Sequence, residues 1–372
     1  MDYTPEKPLK ILFQGENWYG SGARACCMAL RRLGCEVVDV DCQTMFPQLR
    51  RGSSRAMRRL FHRILVREYN DLLVDTASWF KPDMFLAFKG PSIETGTLNI
   101  LRDAGIPVYN YYPDPTPFQY DKTTPTSIWD YDCVFYTKCR WRNQPFLDKF
   151  RNCLFVPHGY DPEIHRPCPV NQIDVSAYAH DVLVIGSHSS HKETIVDELI
   201  SLMPSLDLVI WGDRWKEQCR SERLKPYIQG HALMGTSYAM AISGAKINLA
   251  VMMGIPPGFE DETTMRTYEI PACGGFMLHE RSPELLTLFS ENEEVVCFES
   301  KEELAAKVQY YLNHEHERNE IARAGYRRCV PAYSYDNRMK QILSWHLESN
   351  SSVLRANGYP VALEDLSSSG NG

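Results

Sequence analysis

A glycine-rich segment near the start of the chain has residue types that could bind phosphate. Residues 20–25 read Gly-Ser-Gly-Ala-Arg-Ala and match the G-x-G-x-x-A pattern, in which backbone N–H groups approach a phosphate. In dinucleotide-binding folds the first glycine directly follows a strand. Here the apolar run ends at Gly15, and Glu16 to Tyr19 intervene before Gly20. The loop is therefore too long for that fingerprint, and a dehydrogenase is disfavoured.

Two acids at the end of the next apolar run could bind a metal and a diphosphate. Asp39 and Asp41 spell D-x-D, and side chains two positions apart on a strand share a face. Nothing nearby in the sequence offers a third ligand. We interpret the two acids as ordinary strand-end residues and predict no metal site.

The second half of the chain has one carboxylate in an otherwise apolar segment. Residues 266–280 read RTYEIPACGGFMLHE, with Glu269 ahead of paired glycines that can end a helix. Glu269 would then lie on a helix beside the carboxyl ends of strands, where open α/β sheets bind ligands. There it could accept both hydroxyls of a ribose. An intrahelical pair with Arg266 explains the acid equally well, so both interpretations stay open.

Short apolar runs alternate with helix-length segments along the whole chain. The strand-like runs are residues 10–15, 35–41, 83–90, 106–113, 132–137, 153–159, 181–187, 206–212, 246–253, 276–280 and 294–298. Helical periodicity is clearest in residues 22–34, 192–203, 263–275, 300–328 and 333–349. This alternation predicts an α/β protein with parallel sheets covered by helices on both faces.

A proline-rich polar segment at residues 158–172 interrupts the alternation and predicts a domain boundary. We expect two Rossmann-like domains, residues 1–160 and residues 161–350, the second of which includes the C-terminal helices. Residues 351–372 have the composition of a disordered tail.

Composition excludes several classes of protein. The formal net charge of −7 argues against a nucleic-acid binder. No run approaches the roughly 20 apolar residues of a membrane-spanning helix. The twelve cysteines are scattered without a C-x-x-C pair, and no secretory signal is recognisable before the first strand. We therefore expect reduced thiols and a cytoplasmic location.

An ordered set of motifs resembles a known family. The C-terminal motifs are DVLVIGSHSSHKE, LVIWGDRW, AKINLAV, RTYEIPACGGFMLHE and YSYDNR, and the N-terminal ones are ILFQGENWYGSGARA, DMFLAFKG and YYPDPTP. They resemble the CgeB-type (spore-maturation) glycosyltransferases, a branch of the GT-B superfamily, over roughly residues 8–348. The resemblance implies two Rossmann-like domains facing each other across a cleft. The C-terminal domain would bind a nucleotide-sugar donor, UDP- or GDP-linked, and the N-terminal domain the acceptor, with no cofactor.

The resemblance also implies roles for individual residues. Glu269 matches the acid that holds the donor ribose, and Gly274 and Gly275 match small residues that let the donor phosphates approach. The loop Gly20–Gly22 matches the one that faces those phosphates from the N-terminal domain. Related retaining enzymes have a second acid eight positions before the first. Asp261 stands there and is one carbon shorter, so the anomeric outcome stays open.

Further donor-side candidates follow strands of the second domain. Residues 186–193 link a strand to a helix, whose N-terminal N–H groups could contact a diphosphate. Lys192 could neutralise the departing diphosphate, and Arg214 could supplement it. The donor-side set also includes Gly186, His188, Trp211 and Arg266. As alternatives, His188 is a polar residue of a helix-capping loop at the surface, and Trp211 is an aromatic residue packed in the core.

Three residues of the first domain are candidates for the base that an acceptor hydroxyl needs. Asp114 follows a strand in a proline-containing turn, His158 lies near the domain boundary, and Glu16 precedes the glycine loop. Local capping of the turn is the alternative for Asp114, and a buried structural histidine is the alternative for His158.

Residues 50–68 predict a basic amphipathic helix. Its arginines are Arg51, Arg55, Arg58, Arg59, Arg63 and Arg67. Such a helix suits an anionic membrane surface, here the inner membrane face, or an acidic acceptor. A solvated basic face is the alternative.

We predict a metal-independent glycosyltransferase that moves a sugar from a nucleotide sugar to a hydroxyl-type acceptor: a glycan, a lipid-linked molecule or a protein. Such a reaction would serve the synthesis of cell-surface polysaccharides or glycoconjugates. A nucleotide-sugar epimerase of the same fold, and a non-catalytic nucleotide-sugar-binding or surface-coat protein, remain alternatives.

Overall fold

The computed structural model describes residues 7–45, 54–118, 125–169, 175–254 and 262–350. Within these ranges the chain forms two parallel β-sheets, of six and five strands. Each of the eleven predicted apolar runs contains one of these strands. The predicted α/β architecture with two Rossmann-like sheets is therefore confirmed.

The first sheet has the strand order β2-β1-β3-β4-β5-β6. Its strands are β1 (Lys10–Gly15), β2 (Glu36–Asp41), β3 (Met84–Phe88), β4 (Val108–Tyr112), β5 (Cys133–Tyr136) and β6 (Cys153–Phe155). The helices between them are α1 (Gly22–Arg32), α2 (Cys42–Met45), α3 (Ser54–Phe80) and α4 (Thr95–Asp103). Because β1 lies between β2 and β3, the strand order reverses there, and a crevice forms at the carboxyl ends.

The second sheet has the order β11-β10-β9-β7-β8. Its strands are β7 (Val182–Ile185), β8 (Leu208–Trp211), β9 (Ile247–Ala250), β10 (Met277–Glu280) and β11 (Val296–Phe298). Its helices are α5 (Val175–Tyr178), α6 (Ser190–Leu202), α7 (Trp215–Gln218), α8 (Thr236–Gly244), α9 (Arg266–Ala272), α10 (Pro283–Leu288), α11 (Lys301–Asn313) and α12 (Glu315–Cys329). The reversal of strand order falls between β7 and β9. Gly186 directly follows β7, and Arg266 and Glu269 lie on α9, the helix after β9.

The last helix, α13 (Tyr335–Ser349), departs from the predicted division into domains. It was expected in the second domain, but Tyr335, Met339 and Ile342 are buried in the same core as α1 and β1 of the first domain. Its apolar stripe completes a face of the first sheet, which α1 alone leaves partly uncovered. With α13 the chain therefore returns to the N-terminal domain.

The two crossings between the domains run side by side. The first crossing contains Tyr160, whose N–H donates to the Tyr333 carbonyl and whose carbonyl accepts from the N–H of Tyr335. A Cβ on Gly159 would lie 2.9 Å from that returning backbone, so the close approach needs a glycine. These paired segments join the two domains.

The carboxyl edges of the two sheets face each other. Tyr19, after β1, packs its ring against Gly235 ahead of α8. A Cβ on Gly22 would lie 3.5 Å from Met265 ahead of α9. Lys138, after β5, donates through Nζ to the Thr263 carbonyl at 3.4 Å. The loops expected to hold donor and acceptor thus belong to opposite sides of one interface.

Candidate functional site

The β7–α6 loop forms one wall of the candidate donor site. Gly186 directly follows β7 and has a backbone φ of +126°, which favours glycine. Ser189 caps α6 and accepts a hydrogen bond from the Lys192 N–H at 3.3 Å. The remaining N–H groups of the first turn lack helical partners, and the helix dipole makes them attractive to an anion. This wall lies where the strand order reverses.

Arg266 brings a positive charge to the same place. A Cβ on Gly186 would overlap its Nη1 atom and lie 3.2 Å from its Cζ atom. Its Nη2 atom donates to the Val251 carbonyl, just after β9, at 3.3 Å. Among the described residues no carboxylate lies within ion-pair distance of Arg266. The guanidinium therefore lies between the residues that follow β7 and β9, directly over Gly186.

Lys192 supplies a second cation from the first turn of α6. Its side chain is almost fully buried. Its Nζ atom donates to the Ser187 carbonyl at 2.9 Å and lies 3.0 Å from the Met253 sulfur. Two cations and a helix N-terminus at one crevice form an arrangement that suits a diphosphate.

Glu269 lies one turn further along α9 and points inward. The residue is only 6% exposed. Tyr238 donates through its hydroxyl to the Glu269 Oε2 atom at 2.5 Å. His165 Nε2 lies 3.7 Å from Oε1. Burial first, and then the Glu269 charge, raise the pKa of the Tyr238 hydroxyl well above its usual range.

The alternative interpretation of Glu269 as half of an intrahelical pair does not describe this structure. Arg266 is directed at Gly186, and Glu269 contacts Tyr238 and His165 instead. Glu262, the acid four residues before Arg266, pairs with Arg140 of the first domain at 3.1 Å. Of the two alternatives left open by the sequence, the inward carboxylate is the one observed.

The glycine loop of the first domain closes over this region. Gly20 has a φ of +103°, and a Cβ placed there would lie 3.7 Å from the Gly235 nitrogen. Ser21 caps α1 by accepting from the Arg24 N–H at 3.0 Å. The loop is longer than a dinucleotide loop, as the sequence predicts, because Glu16 to Tyr19 extend it towards the other domain.

Three of the predicted donor-side residues have contacts that differ from the predicted contact with a donor. Both ring nitrogens of His188 are in use, Nε2 with Glu193 at 2.7 Å and Nδ1 with Gln218 at 3.3 Å. The ring therefore stabilises the β7–α6 loop from behind. Trp211 stacks edge-on against a neighbouring histidine ring, and its indole nitrogen is buried without a partner among the described residues. Arg214 is exposed, with a φ of +68°.

The role predicted for the paired glycines after Glu269 has to be corrected. The resemblance implied that Gly274 and Gly275 make room for donor phosphates. A Cβ on Gly275 would instead lie 2.7 Å from Asn248 Nδ2 and from an Ile242 methyl group, and one on Gly274 would lie 3.3 Å from Pro167. The space beside both glycines is filled by protein. They let α9 pack closely against its neighbours, and they position Glu269 only indirectly.

On the acceptor side, Asp114 is held by a lysine. Asp114 Oδ2 lies 2.6 Å from Nζ of Lys89, and both side chains are under one-fifth exposed. The two residues follow β4 and β3, which are adjacent strands. Lys89 has a φ of +63°, an uncommon conformation for a side-chain-bearing residue. The alternative for Asp114 was that it caps a local turn. The structure instead shows it in this ion pair.

The other two base candidates differ in accessibility. His158 is buried, and desolvation, followed by the charges of Lys138 and Arg338, lowers its pKa well below the usual value. Glu16 is exposed and accepts a hydrogen bond from the Trp18 indole at 2.9 Å. His158 is therefore sealed from an acceptor in this conformation, whereas Glu16 and Asp114 are reachable.

Sequence reasoning missed Tyr238, His165 and Lys89. Tyr238 and His165 reach Glu269 from α8 and from the interdomain connection, so no local spacing links them to it. Lys89 was detectable in part, because Lys-Gly after an apolar strand marks a turn at a carboxyl edge.

The strand-end acids of the first sheet have local partners. Asp39 accepts from the Asn17 side chain at 2.6 Å, and burial raises its pKa to about 6. Asp41 accepts from the Gln43 N–H at 2.8 Å. In the ranges that the structure describes, no three His, Cys, Asp or Glu side chains are grouped as metal ligands would be.

Three of the predictions lie partly or wholly outside the described residues. Asp261, Arg51 and the segment 351–372 lie outside them altogether. The predicted basic helix is present as α3, and Arg63 and Arg67 are exposed on it. No described helix is both long and apolar enough to cross a bilayer.

Comparison with known proteins agrees with this geometry. Residues 191–344 match a family described as glycosyl transferase-like. The chain is 22% identical to the spore protein CgeB of Bacillus subtilis over 288 residues, which are 72% of this chain and 84% of CgeB.

Solved structures share the fold. Sucrose-phosphate synthase from Thermosynechococcus elongatus superposes with a TM-score of 0.64 at 12% identity, covering 92% of this chain and all of that one. HepE of Anabaena, solved in complex with UDP-glucose, gives a TM-score of 0.61 at 12% identity with the same coverage of the two chains. The predicted GT-B fold is thereby confirmed. Residues 191–344 are thus similar to a glycosyl transferase-like family, and the chain as a whole resembles CgeB in sequence and has the GT-B fold.

Proposed function

We propose that the protein transfers a sugar from a nucleoside diphosphate sugar to a hydroxyl of an acceptor, with the donor bound at the carboxyl edge of the second sheet. The observation that carries this proposal is the Arg266 guanidinium lying over Gly186, with Lys192 and the start of α6 beside it. A diphosphate fits two cations and free N–H groups, and Glu269 stands one helical turn away for the ribose. UDP-glucose in HepE supports a uridine-linked donor, with a guanosine-linked donor as the second choice.

In the proposed reaction, the bond between the anomeric carbon and the diphosphate oxygen breaks while the acceptor oxygen bonds to that carbon. The acceptor loses a proton, and the nucleoside diphosphate leaves with the bonding electrons. Arg266, Lys192 and the α6 N-terminus would stabilise the negative charge that develops on the leaving group. Asp114, held by Lys89, is the favoured acceptor-side base because it stays partly exposed, unlike His158.

We also propose a class of acceptor and a location for the reaction. The exposed arginines of α3 lie in the acceptor domain and favour a polyanionic or lipid-linked acceptor at an anionic membrane surface. Such an acceptor would suit a role in the synthesis of cell-surface polysaccharides or glycoconjugates.

The test measures nucleoside diphosphate release from UDP- and GDP-sugars with and without glycan, lipid-linked and protein acceptors. We expect release that depends on acceptor and that falls at least tenfold in Arg266→Ala, since a hydrogen bond to a charged group contributes about 1.5–3 kcal/mol. Arg328→Ala is a matched control, because the contacts of that exposed arginine among the described residues are the Leu288 carbonyl and Tyr333. Isomerisation of the donor sugar without acceptor would select an epimerase instead, and binding without turnover a non-catalytic protein.

A further inference from the structure

Two side chains contact the buried carboxylate that the proposed donor site uses. We infer that Tyr238 and His165 are positioning residues, which hold Glu269 so that it selects a ribonucleoside diphosphate over its 2′-deoxy counterpart. The inference rests on the proposed function, because it assumes that Glu269 faces the ribose. The inference gives Tyr238 and His165 a role in donor specificity that the sequence around neither residue indicates.

Tyr238 fixes one oxygen of the carboxylate. It lies in the first turn of α8, and its hydroxyl is 2.5 Å from Glu269 Oε2. An ionised carboxylate only accepts hydrogen bonds, so the Tyr238 hydroxyl donates. Hydrogen bonds to a charged acceptor are short and strong, and this one restricts rotation of the carboxylate about its last bond.

His165 faces the other oxygen with a defined tautomer. Its Nδ1 atom accepts a hydrogen bond from the Asp161 N–H at 3.0 Å, which requires that the ring proton be on Nε2. That Nε2–H group lies 3.7 Å from Glu269 Oε1, and the ring stands edge-on to Tyr238 at 5.4 Å between centroids. Burial lowers the pKa of His165, so the ring is neutral and presents the positive end of its N–H dipole.

The remaining capacity of the carboxylate matches a vicinal diol. A carboxylate has about four acceptor positions, two on each oxygen. Tyr238 occupies one on Oε2, and His165 faces one on Oε1. One position is left on each oxygen, enough for the 2′ and 3′ hydroxyls of a ribose. A 2′-deoxyribose would leave a buried acceptor position unfilled.

The experiment compares the affinities of UDP and 2′-deoxy-UDP, and of GDP and 2′-deoxy-GDP, by calorimetric titration. We expect the wild-type protein to bind the ribose form about 10- to 100-fold more tightly. In Tyr238→Phe the preference should fall to about threefold. His165→Asn should lower it as well, because asparagine can still accept from the Asp161 N–H but has no group at the Nε2 position.

Tyr310→Phe is the matched control. Its exposed hydroxyl donates to Glu317 at 2.9 Å, which is the same chemistry away from the site, so the ribose preference should not change. A wild-type preference that persists in both Tyr238→Phe and His165→Asn overturns the inference and leaves the donor site standing. An equal loss of affinity for ribose and deoxyribose forms overturns it too, because that marks a general structural defect. Failure of the wild-type protein to bind either diphosphate overturns the proposed function itself.

Discussion

Replacing Gly186 by alanine tests whether the Arg266 guanidinium is part of a phosphate site. The new Cβ would overlap Nη1 and stand 3.2 Å from Cζ, so the guanidinium must move by roughly 1 Å to regain normal contact distances. Arg266 is a flexible side chain, so this displacement costs the fold little. It would break the proposed hydrogen bonds from the guanidinium to the diphosphate, at about 1.5–3 kcal/mol, or about 10- to 150-fold in affinity.

The same substitution also strains the backbone. Gly186 has a φ of +126°, and a side-chain-bearing residue there costs about 1–3 kcal/mol of stability. Gly34→Ala isolates this contribution, because Gly34 has a φ of +85° and a Cβ placed on it meets nothing within 4 Å. Urea unfolding should therefore show comparable losses for the two variants, whereas only Gly186→Ala should weaken nucleotide binding.

Calorimetric titration of UDP and GDP provides the decisive comparison. Because Gly186→Ala acts through Arg266, the double variant with Arg266→Ala should bind no more weakly than Arg266→Ala alone. Additive losses in the double variant would contradict this reasoning. A Gly186→Ala variant that binds nucleotide with wild-type affinity would also contradict this reasoning, since the new Cβ must displace the Arg266 guanidinium.

Three further predictions follow from individual contacts. His279 and His346 are buried, and desolvation lowers the pKa of each from 6.5 to about 4. The unfolded chain therefore binds more protons between these pH values, and the free energy of unfolding should fall by about 3 kcal/mol per histidine from pH 6.5 to 4. Urea unfolding should show a shallower pH slope in His346→Gln, and an unchanged slope would contradict the prediction. Gly275→Ala should destabilise the protein by about 1–3 kcal/mol, because its Cβ would lie 2.7 Å from packed side chains; unaltered thermal unfolding would count against it. Lys89→Met should lower the transfer rate without weakening donor binding, because Lys89 pairs with Asp114 at the carboxyl edge of the first sheet; kinetics that show weaker donor binding instead would refute the assignment to the acceptor side.

Much of the fold was predictable because its signals are local. Parallel strands covered on both faces are apolar throughout, and this is why short runs such as 182–185 and 208–211 were found. Ser21 and Ser189 cap the helices that follow the two candidate loops, as serine does before a helical run. These loops lie at the carboxyl ends of strands, so their general place in the site was predictable too.

The partners of the candidate residues were not predictable, because they come from distant parts of the chain. Tyr238 meets Glu269 from 31 positions away, and Lys89 meets Asp114 across adjacent strands. The helix α13 has a generic amphipathic pattern, which does not say which sheet it covers. Its place on the first domain depends on the backbone pairing at Tyr160, and that pairing is a property of the assembled fold.

The most direct test of the donor site is the affinity of Glu269→Gln for UDP and GDP, measured by calorimetric titration against the wild-type protein. Glutamine keeps the size of the side chain but replaces one acceptor oxygen by an amide donor. The donor-site assignment predicts binding of at least one diphosphate to the wild-type protein and a loss of at least about tenfold in the variant. Equal affinities for a diphosphate that binds both proteins would show that Glu269 does not hold the ribose.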